Sequence, residues 1–321
     1  MWRSCIAVGT AIGVLLIAAG CGRDFGRAAS VPDEDMTVSM ESGGRQREYV
    51  VHTPSRPGSG KLPAVLIFHG GGGSPADMID GTGFDDLADR EGFVAVYPAG
   101  YEHSWNDGRG EDTKAGAAGV DDIAFVSAVI DRIIAEHGVD PARIYATGLS
   151  NGGMFTQFLG CALAGRLAAI APVSGTLPQA DEHGCTPGVP LPVLEIHGTA
   201  DPIVPYNGGV VRVTGGHRGG SGTAPVLSVD ATQALWRGRN RCDGEPVRTS
   251  LPPLTNDGTS VVTEISAKCA AGSRVELYSV VGGGHTWPGR DQRLPESLVG
   301  TVTRQFDAAE IIWRFCSGFQ R

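Results

Sequence analysis

A mostly parallel β-sheet with helices on both faces is the fold this sequence predicts, from two observations. Short continuous apolar runs recur along the chain, as strands buried on both faces require, and patterns of helical period lie between them. With 321 residues, 41% of them apolar and 19% charged, the chain has material for a large core, which excludes a disordered protein.

In chain order, the first residues stand apart. Arg3 precedes an apolar or small stretch, 5–19, broken only by Thr10. This is the pattern of a secretory signal peptide over 1–20, and it is short for a spanning helix, which needs about 20 apolar residues. The segment ends Ala18-Ala19-Gly20-Cys21, which resembles a bacterial lipoprotein processing site with Cys21 as the lipidated mature N-terminus. Cleavage nearby with free secretion is the alternative. Residues 21–40 read as a polar tether, and 41–321 as one α/β domain.

Within that domain a leading strand is expected over 47–53, followed by buried strands at 62–68, 93–97, 143–147, 167–172, 191–196 and 274–281. Helices are expected over 83–90, 121–137, 151–164, 229–237 and 302–315. The clearest sets Ile123, Val126, Ile130, Ile133 and Ile134 on one face behind an Asp121 cap. The Gly-rich stretch 208–224 and the stretch 248–260, with paired Pro and an Asn-Asp-Gly, read as long loops.

A net charge of −9 with no block of like charges argues against a sequence-independent grip on nucleic acid or anionic lipid. A neutral or acid-compatible small substrate fits better, and membrane contact is expected only through the N-terminal anchor. Export implies an oxidising compartment. Five cysteines follow Cys21, and their spacing suggests the pairs Cys161–Cys185 and Cys242–Cys269, with Cys316 left as a small buried residue. There is no Cys-x-x-Cys and no His-rich cluster, so no zinc or other metal site is expected.

Chemistry in such a sheet collects at the carboxyl ends of strands. After the strand at 143–147 comes Gly148-Leu149-Ser150-Asn151-Gly152, followed by a helix. A serine in this tight strand-to-helix turn is an exposed nucleophile, with the helix N-terminus beneath it. A serine hydroxyl needs a base. Of eight histidines, His285 lies directly after the strand 274–281, in Gly282-Gly283-Gly284-His285-Thr286-Trp287. The orienting acid should end the strand 191–196, where His197-Gly198-Thr199-Ala200-Asp201-Pro202 offers Asp201. His197 itself is expected to be a structural hydrogen-bonding residue. Phe68-His69-Gly70-Gly71-Gly72-Gly73 ends the strand 62–68 and suits an oxyanion loop, with the backbone N–H groups of Gly71 and Asn151 as donors. Trp105 and Trp287 are either walls for an acyl or aromatic group or core anchors. Asp121 and Asp122 are expected to cap a helix and brace the site.

These motifs, in the chain order Ser, Asp, His, define the α/β-hydrolase pattern. Together with Ser104-Trp105-Asn106-Asp107-Gly108, Val120-Asp121-Asp122 and Val204-Pro205-Tyr206, they resemble the polyhydroxybutyrate depolymerase-like esterases, which overlap the feruloyl and acetylxylan esterases of carbohydrate esterase family 1. The resemblance covers nearly all of the chain from about Glu48. It implies an α/β-hydrolase catalytic domain without a cofactor that hydrolyses carboxylic esters through an acyl-enzyme, with a triad at Ser150, Asp201 and His285. Family members often have cysteines at positions like Cys161, Cys185, Cys242 and Cys269. Some polymer depolymerases carry a Cys where this chain has Gly71. The expected substrates are feruloyl or acetyl esters of polysaccharide, or short hydroxyalkanoate esters, as small molecules or polymers. The alternatives are a serine peptidase of the same fold and a non-catalytic, lipid-anchored binding protein that keeps a hydrolase shell.

Overall fold

Every residue of Leu62–Phe68 is buried, the state of a strand with sheet neighbours on both edges and packed layers on both faces. The computed structural model describes residues 35–55, 60–212 and 222–321. The expected signal peptide, the Cys21 site and residues 21–34 of the tether lie outside the described residues. In chain order the strands are β1 (Met36–Ser42), β2 (Arg45–His52), β3 (Leu62–Phe68), β4 (Val94–Pro98), β5 (Val139–Leu149), β6 (Ala169–Val173), β7 (Val193–Gly198), β8 (Gly209–Val210), β9 (Pro225–Val226), β10 (Val247–Ser250), β11 (Ser260–Ser266) and β12 (Val275–Val281). The helices are α1 (Pro75–Thr82), α2 (Phe84–Glu91), α3 (Lys114–Ala117), α4 (Asp122–Glu136), α5 (Asn151–Leu163), α6 (Val229–Arg239), α7 (Glu296–Val299) and α8 (Ala308–Cys316).

Ten strands form one sheet in the order β1-β2-β4-β3-β5-β6-β7-β12-β11-β10, and β8 and β9 make a separate short ribbon. The inner strands from β4 to β12 are parallel, while β1 and β2 on one edge and β11 and β10 on the other are antiparallel. Alternate residues of β3 feed two cores, Leu66 and Phe68 on one face and Val65 and Ile67 on the other, as the two-residue period of a strand dictates. Helix α4 begins at its expected cap, where the Asp121 carboxylate accepts the N–H of Ala124. Both expected disulfides are present, Cys161–Cys185 and Cys242–Cys269, and Cys316 is a free, buried thiol.

Four departures from expectation have local causes. Strand β1 begins at Met36, inside the stretch read as tether, and pairs with β2 across a Gly43-Gly44 turn with φ of 59° and 70°. Two successive positive φ angles are what a tight hairpin turn requires, and the Gly-Gly between alternating segments is its sequence signal. Helix α1 starts with Pro75 in its first turn and was not expected. Helix α8 starts only at Ala308, because Asp307 caps it by accepting the N–H groups of Ala309 and Glu310. The stretch 248–260 is not all loop: β10 occupies its start and β11 begins at its end. All four residues of β10 are exposed, so no apolar pattern marks it.

Candidate active site

Ser150 joins the end of β5 to the start of α5 with φ 58° and ψ −120°, an unfavourable region for a residue with a Cβ. Such a conformation costs roughly 1–3 kcal/mol and persists only where its surroundings enforce it. Here the Ser150 N–H donates to the Val173 carbonyl at 2.9 Å, and the Ser150 carbonyl accepts from Met154 at 2.8 Å. The turn also needs a glycine at 152, where a Cβ would stand 2.3 Å from the Phe68 carbonyl oxygen. The Ser150 side chain does not cap the helix, so no capping bond occupies its hydroxyl at the carboxyl end of β5.

The loop after β3 runs beside this turn. A Cβ built on Gly70 would lie 3.5 Å from Ser150 Cβ, and one on Gly71 would lie 3.7 Å from Asn151 Cβ. His69, buried, fixes that loop: Nδ1 donates to the Gly70 carbonyl at 2.8 Å and Nε2 accepts the Gly100 N–H at 2.9 Å. That pair of bonds requires the neutral ring, and burial pushes the His69 pKa down to about 4. The Asn151 side chain ties the elbow to the next loop. Its Oδ1 accepts the Trp105 N–H at 2.8 Å, and its Nδ2 donates to the Trp105 carbonyl at 3.1 Å and to Asp107 Oδ2 at 2.6 Å. Asp107 is closed off by Arg109, whose Nη2 lies 2.8 Å from the same oxygen in a buried ion pair. Asp122 is also buried, accepting from Arg47 at 2.7 Å and from the Asn106 N–H at 2.8 Å, which makes it the expected brace.

The acid and base meet across the other side. Asp201 follows β7 and His285 follows β12, its parallel neighbour, and Asp201 Oδ2 accepts from His285 Nδ1 at 2.7 Å with both residues buried. Close approach of the two loops depends on Gly198, where a Cβ would stand 2.3 Å from the Gly283 carbonyl oxygen. Asp201 Oδ1 accepts the N–H groups of Ile203 and Val204, each at 2.8 Å. Burial works to raise the Asp201 pKa, but His285, His197 and the Ile203 N–H outweigh it and hold the carboxyl below its usual range. With Nδ1 committed to Asp201, His285 has Nε2 left to exchange a proton with a reacting group.

The two tryptophans are core anchors, not walls. Trp105 is fully buried, stacked on Phe155 at 5.0 Å and edge-on to Phe68 at 5.2 Å, with Nε1 donating to the His69 carbonyl. Trp287, 2% exposed, packs against Phe84 beneath the sheet's other face. Neither offers a face to a ligand. Residues not singled out from sequence include Glu195, Asp107 and Arg109. A charged residue inside the otherwise apolar strand 191–196 was the available signal for Glu195, since buried charges are rare unless paired.

The fold and this arrangement define the class of α/β-hydrolase carboxylic ester hydrolases. The chain belongs, within that class, to the family described as Esterase PHB depolymerase, which matches residues 47–205. It is 32% identical over 280 residues to the protein named "Putative esterase NocK" of Nocardia uniformis subsp. tsuyamanensis, covering 86% of this chain and 80% of that protein, a name that gives no substrate. It is also 31% identical to feruloyl esterase B of Piromyces equi, over 74% of this chain but only 42% of that longer protein. Among solved structures, the acetyl xylan esterase from Aspergillus awamori superposes with a TM-score of 0.54 at 16% identity, over 75% of this chain and 89% of that one, a likeness of fold.

Proposed function

We propose that the protein is an exported serine esterase with Ser150 as nucleophile, His285 as general base and Asp201 as its orienting acid, acting on feruloyl, acetyl or short hydroxyalkanoate esters. The observation that carries this reading is the buried 2.7 Å Asp201–His285 bond at the carboxyl ends of adjacent parallel strands, with the strained Ser150 elbow two strands away in the same sheet. In the first half-reaction the Ser150 Oγ–H proton passes to His285 Nε2 as oxygen bonds to the acyl carbon. The C–O bond to the alcohol then breaks, and that oxygen takes the proton from His285. Water repeats the sequence on the acyl-enzyme and releases the acid. Backbone N–H groups of Gly71 and Asn151 receive the oxyanion: Asn151 is the first residue of α5, where N–H groups have no partner within the helix.

Two features support export: a signal-like N-terminus, with Cys21 placed for a lipid anchor, and two disulfides of the kind kept in oxidising compartments. Substrate class rests on the esterases to which the chain is similar in sequence, among them relatives that carry feruloyl or acetylxylan in their names.

The test is hydrolysis of methyl ferulate, acetylated xylan, short p-nitrophenyl esters and hydroxybutyrate oligomers by wild type and Ser150→Ala. Wild type hydrolyses one class preferentially and Ser150→Ala, still folded, loses about 10⁴-fold or more. A Ser150→Ala protein that keeps its activity refutes the nucleophile.

A further inference from the structure

Behind Asp201 lies a second buried pair that the hydrolytic scheme above does not use. His197 and Glu195 both belong to β7, and both are fully buried. His197 Nε2 lies 3.0 Å from the Val204 carbonyl oxygen and 3.5 Å from Asp201 Oδ2, while Nδ1 faces Glu195 Oε1 across 3.6 Å. Nδ1 and Oε1 have no hydrogen-bond partner among the described residues. The other Glu195 oxygen accepts from Gln233 of α6 at 2.9 Å.

Each of these neighbours, a carbonyl and two carboxylates, can accept and none can donate while ionised. Both ring nitrogens therefore face acceptors, the environment of an imidazolium. Burial alone would push the His197 pKa down, but Glu195 and Asp201 on either side outweigh it and hold it above its ordinary value. The remaining neighbours add no competing charge at the ring. Tyr206 meets it edge-on at 5.8 Å and its hydroxyl shares a hydrogen bond with the Ser279 hydroxyl of β12, while Asp230 of α6 and Glu264 of β11 act on Tyr206.

We infer that Glu195 and His197 are positioning residues for the esterase reaction, a charged pair that aims Asp201 at His285 and places a compensating positive charge behind it. The inference rests on the proposed triad. In the line Glu195, His197, Asp201, His285, charges alternate whenever His285 takes the proton from serine. His197 offsets part of the field that Asp201 exerts on His285. Without it, Asp201 and Glu195 together favour the protonated base, and the enzyme must reach higher pH before His285 can accept a proton.

The experiment is the pH profile of kcat/KM for p-nitrophenyl acetate, measured on the full chain as wild type, His197→Gln, the double variant Glu195→Gln/His197→Gln, and Ser150→Ala. In His197→Gln the acid limb moves up by about half to one pH unit, consistent with loss of one charge in a partly polar interior, and KM changes little. The double variant, which replaces a neutral pair of charges by a neutral pair of amides, brings the limb back toward wild type. A purely structural role lowers activity without moving the limb, and that result in folded His197→Gln overturns the inference while Ser150→Ala stays inactive and the triad stands. Hydrolysis surviving in Ser150→Ala removes the triad, and this role with it. Should His197→Gln fail to fold, nitrogen NMR of histidine-labelled protein decides, with His52 replaced by Gln because Asp85, Asp35 and Asp89 hold that histidine too above its ordinary value. An imidazole carrying both protons at pH 8 supports the pair, and none overturns it.

Discussion

The oxyanion side of the site and its acid–base side are held by different interactions. Around Ser150 the positioning bonds join neutral groups: His69 to two backbone amides, Asn151 to Trp105, and Trp105 to the His69 carbonyl. The ionic elements there, Asp107 with Arg109 and Asp122 with Arg47, are buried pairs that brace the loops, and Asn151 Nδ2 seals the first. Across the sheet, Asp201 is gripped by two backbone N–H groups and stands between two histidines, with Glu195 behind one of them. The difference teaches that the two halves of one active site answer to different variables. Packing and burial govern the first, and charge governs the second.

The charged side breaks most severely. Asp201→Asn keeps an oxygen for the Ile203 and Val204 N–H groups, so the fold survives, but it removes the charge that stabilises the imidazolium and fixes the His285 tautomer. Ester hydrolysis is expected to fall about 10³–10⁴-fold, with little change in melting temperature. A smaller loss, near tenfold, would mean that His285 is held by the backbone alone.

On the neutral side, Asn151→Ala leaves the backbone N–H in place and removes the side chain that joins elbow to loop, leaving Asp107 short of a donor. The cost to stability is about 1–3 kcal/mol, read as a lowered melting temperature, and kcat drops about 10- to 100-fold as the donor geometry loosens. An unchanged kcat would show that the loop after β3 positions itself without Asn151.

Acid sharpens the contrast further. His69 is neutral in the fold until about pH 4, whereas an unfolded histidine titrates near 6.5. A depressed folded pKa contributes stability that is present above pH 6.5 and is lost as pH falls toward 4, because only the unfolded chain takes up the proton in that window. The contribution is about 3 kcal/mol at most, so His69→Gln should flatten the melting-temperature profile between those values. Thermal melts at several pH values would show an unaltered slope if another buried group were responsible.

Sequence made the parallel half legible because its strands are apolar on both faces and four of them, β3, β5, β7 and β12, end in motifs whose chemistry names their partners. Gly148 to Gly152, Gly71, Asp201 and His285 all stand at the carboxyl ends of predicted strands, and the structure places them there. Edge elements were harder. β10 exposes every residue, and the β1–β2 hairpin announced itself only through Gly43-Gly44. Trp105 and Trp287 could not be sorted from sequence, since a tryptophan beside a catalytic motif serves equally to wall a pocket or to hold the loop that carries the motif. Glu195 and His197 lie two apart on one strand and so share a face, but the partners that meet it there, Gln233 of α6 and Tyr206, are long-range contacts that no local pattern reveals.

The central claim is that Ser150 is the nucleophile activated by the His285–Asp201 couple. Its most direct test is labelling of the folded protein with an organophosphonate probe, with the modified residue located by mass spectrometry. One label on Ser150, absent in Ser150→Ala and formed far more slowly in Asp201→Asn, is the predicted result. A protein that takes no label, or is labelled elsewhere at the wild-type rate, would contradict it.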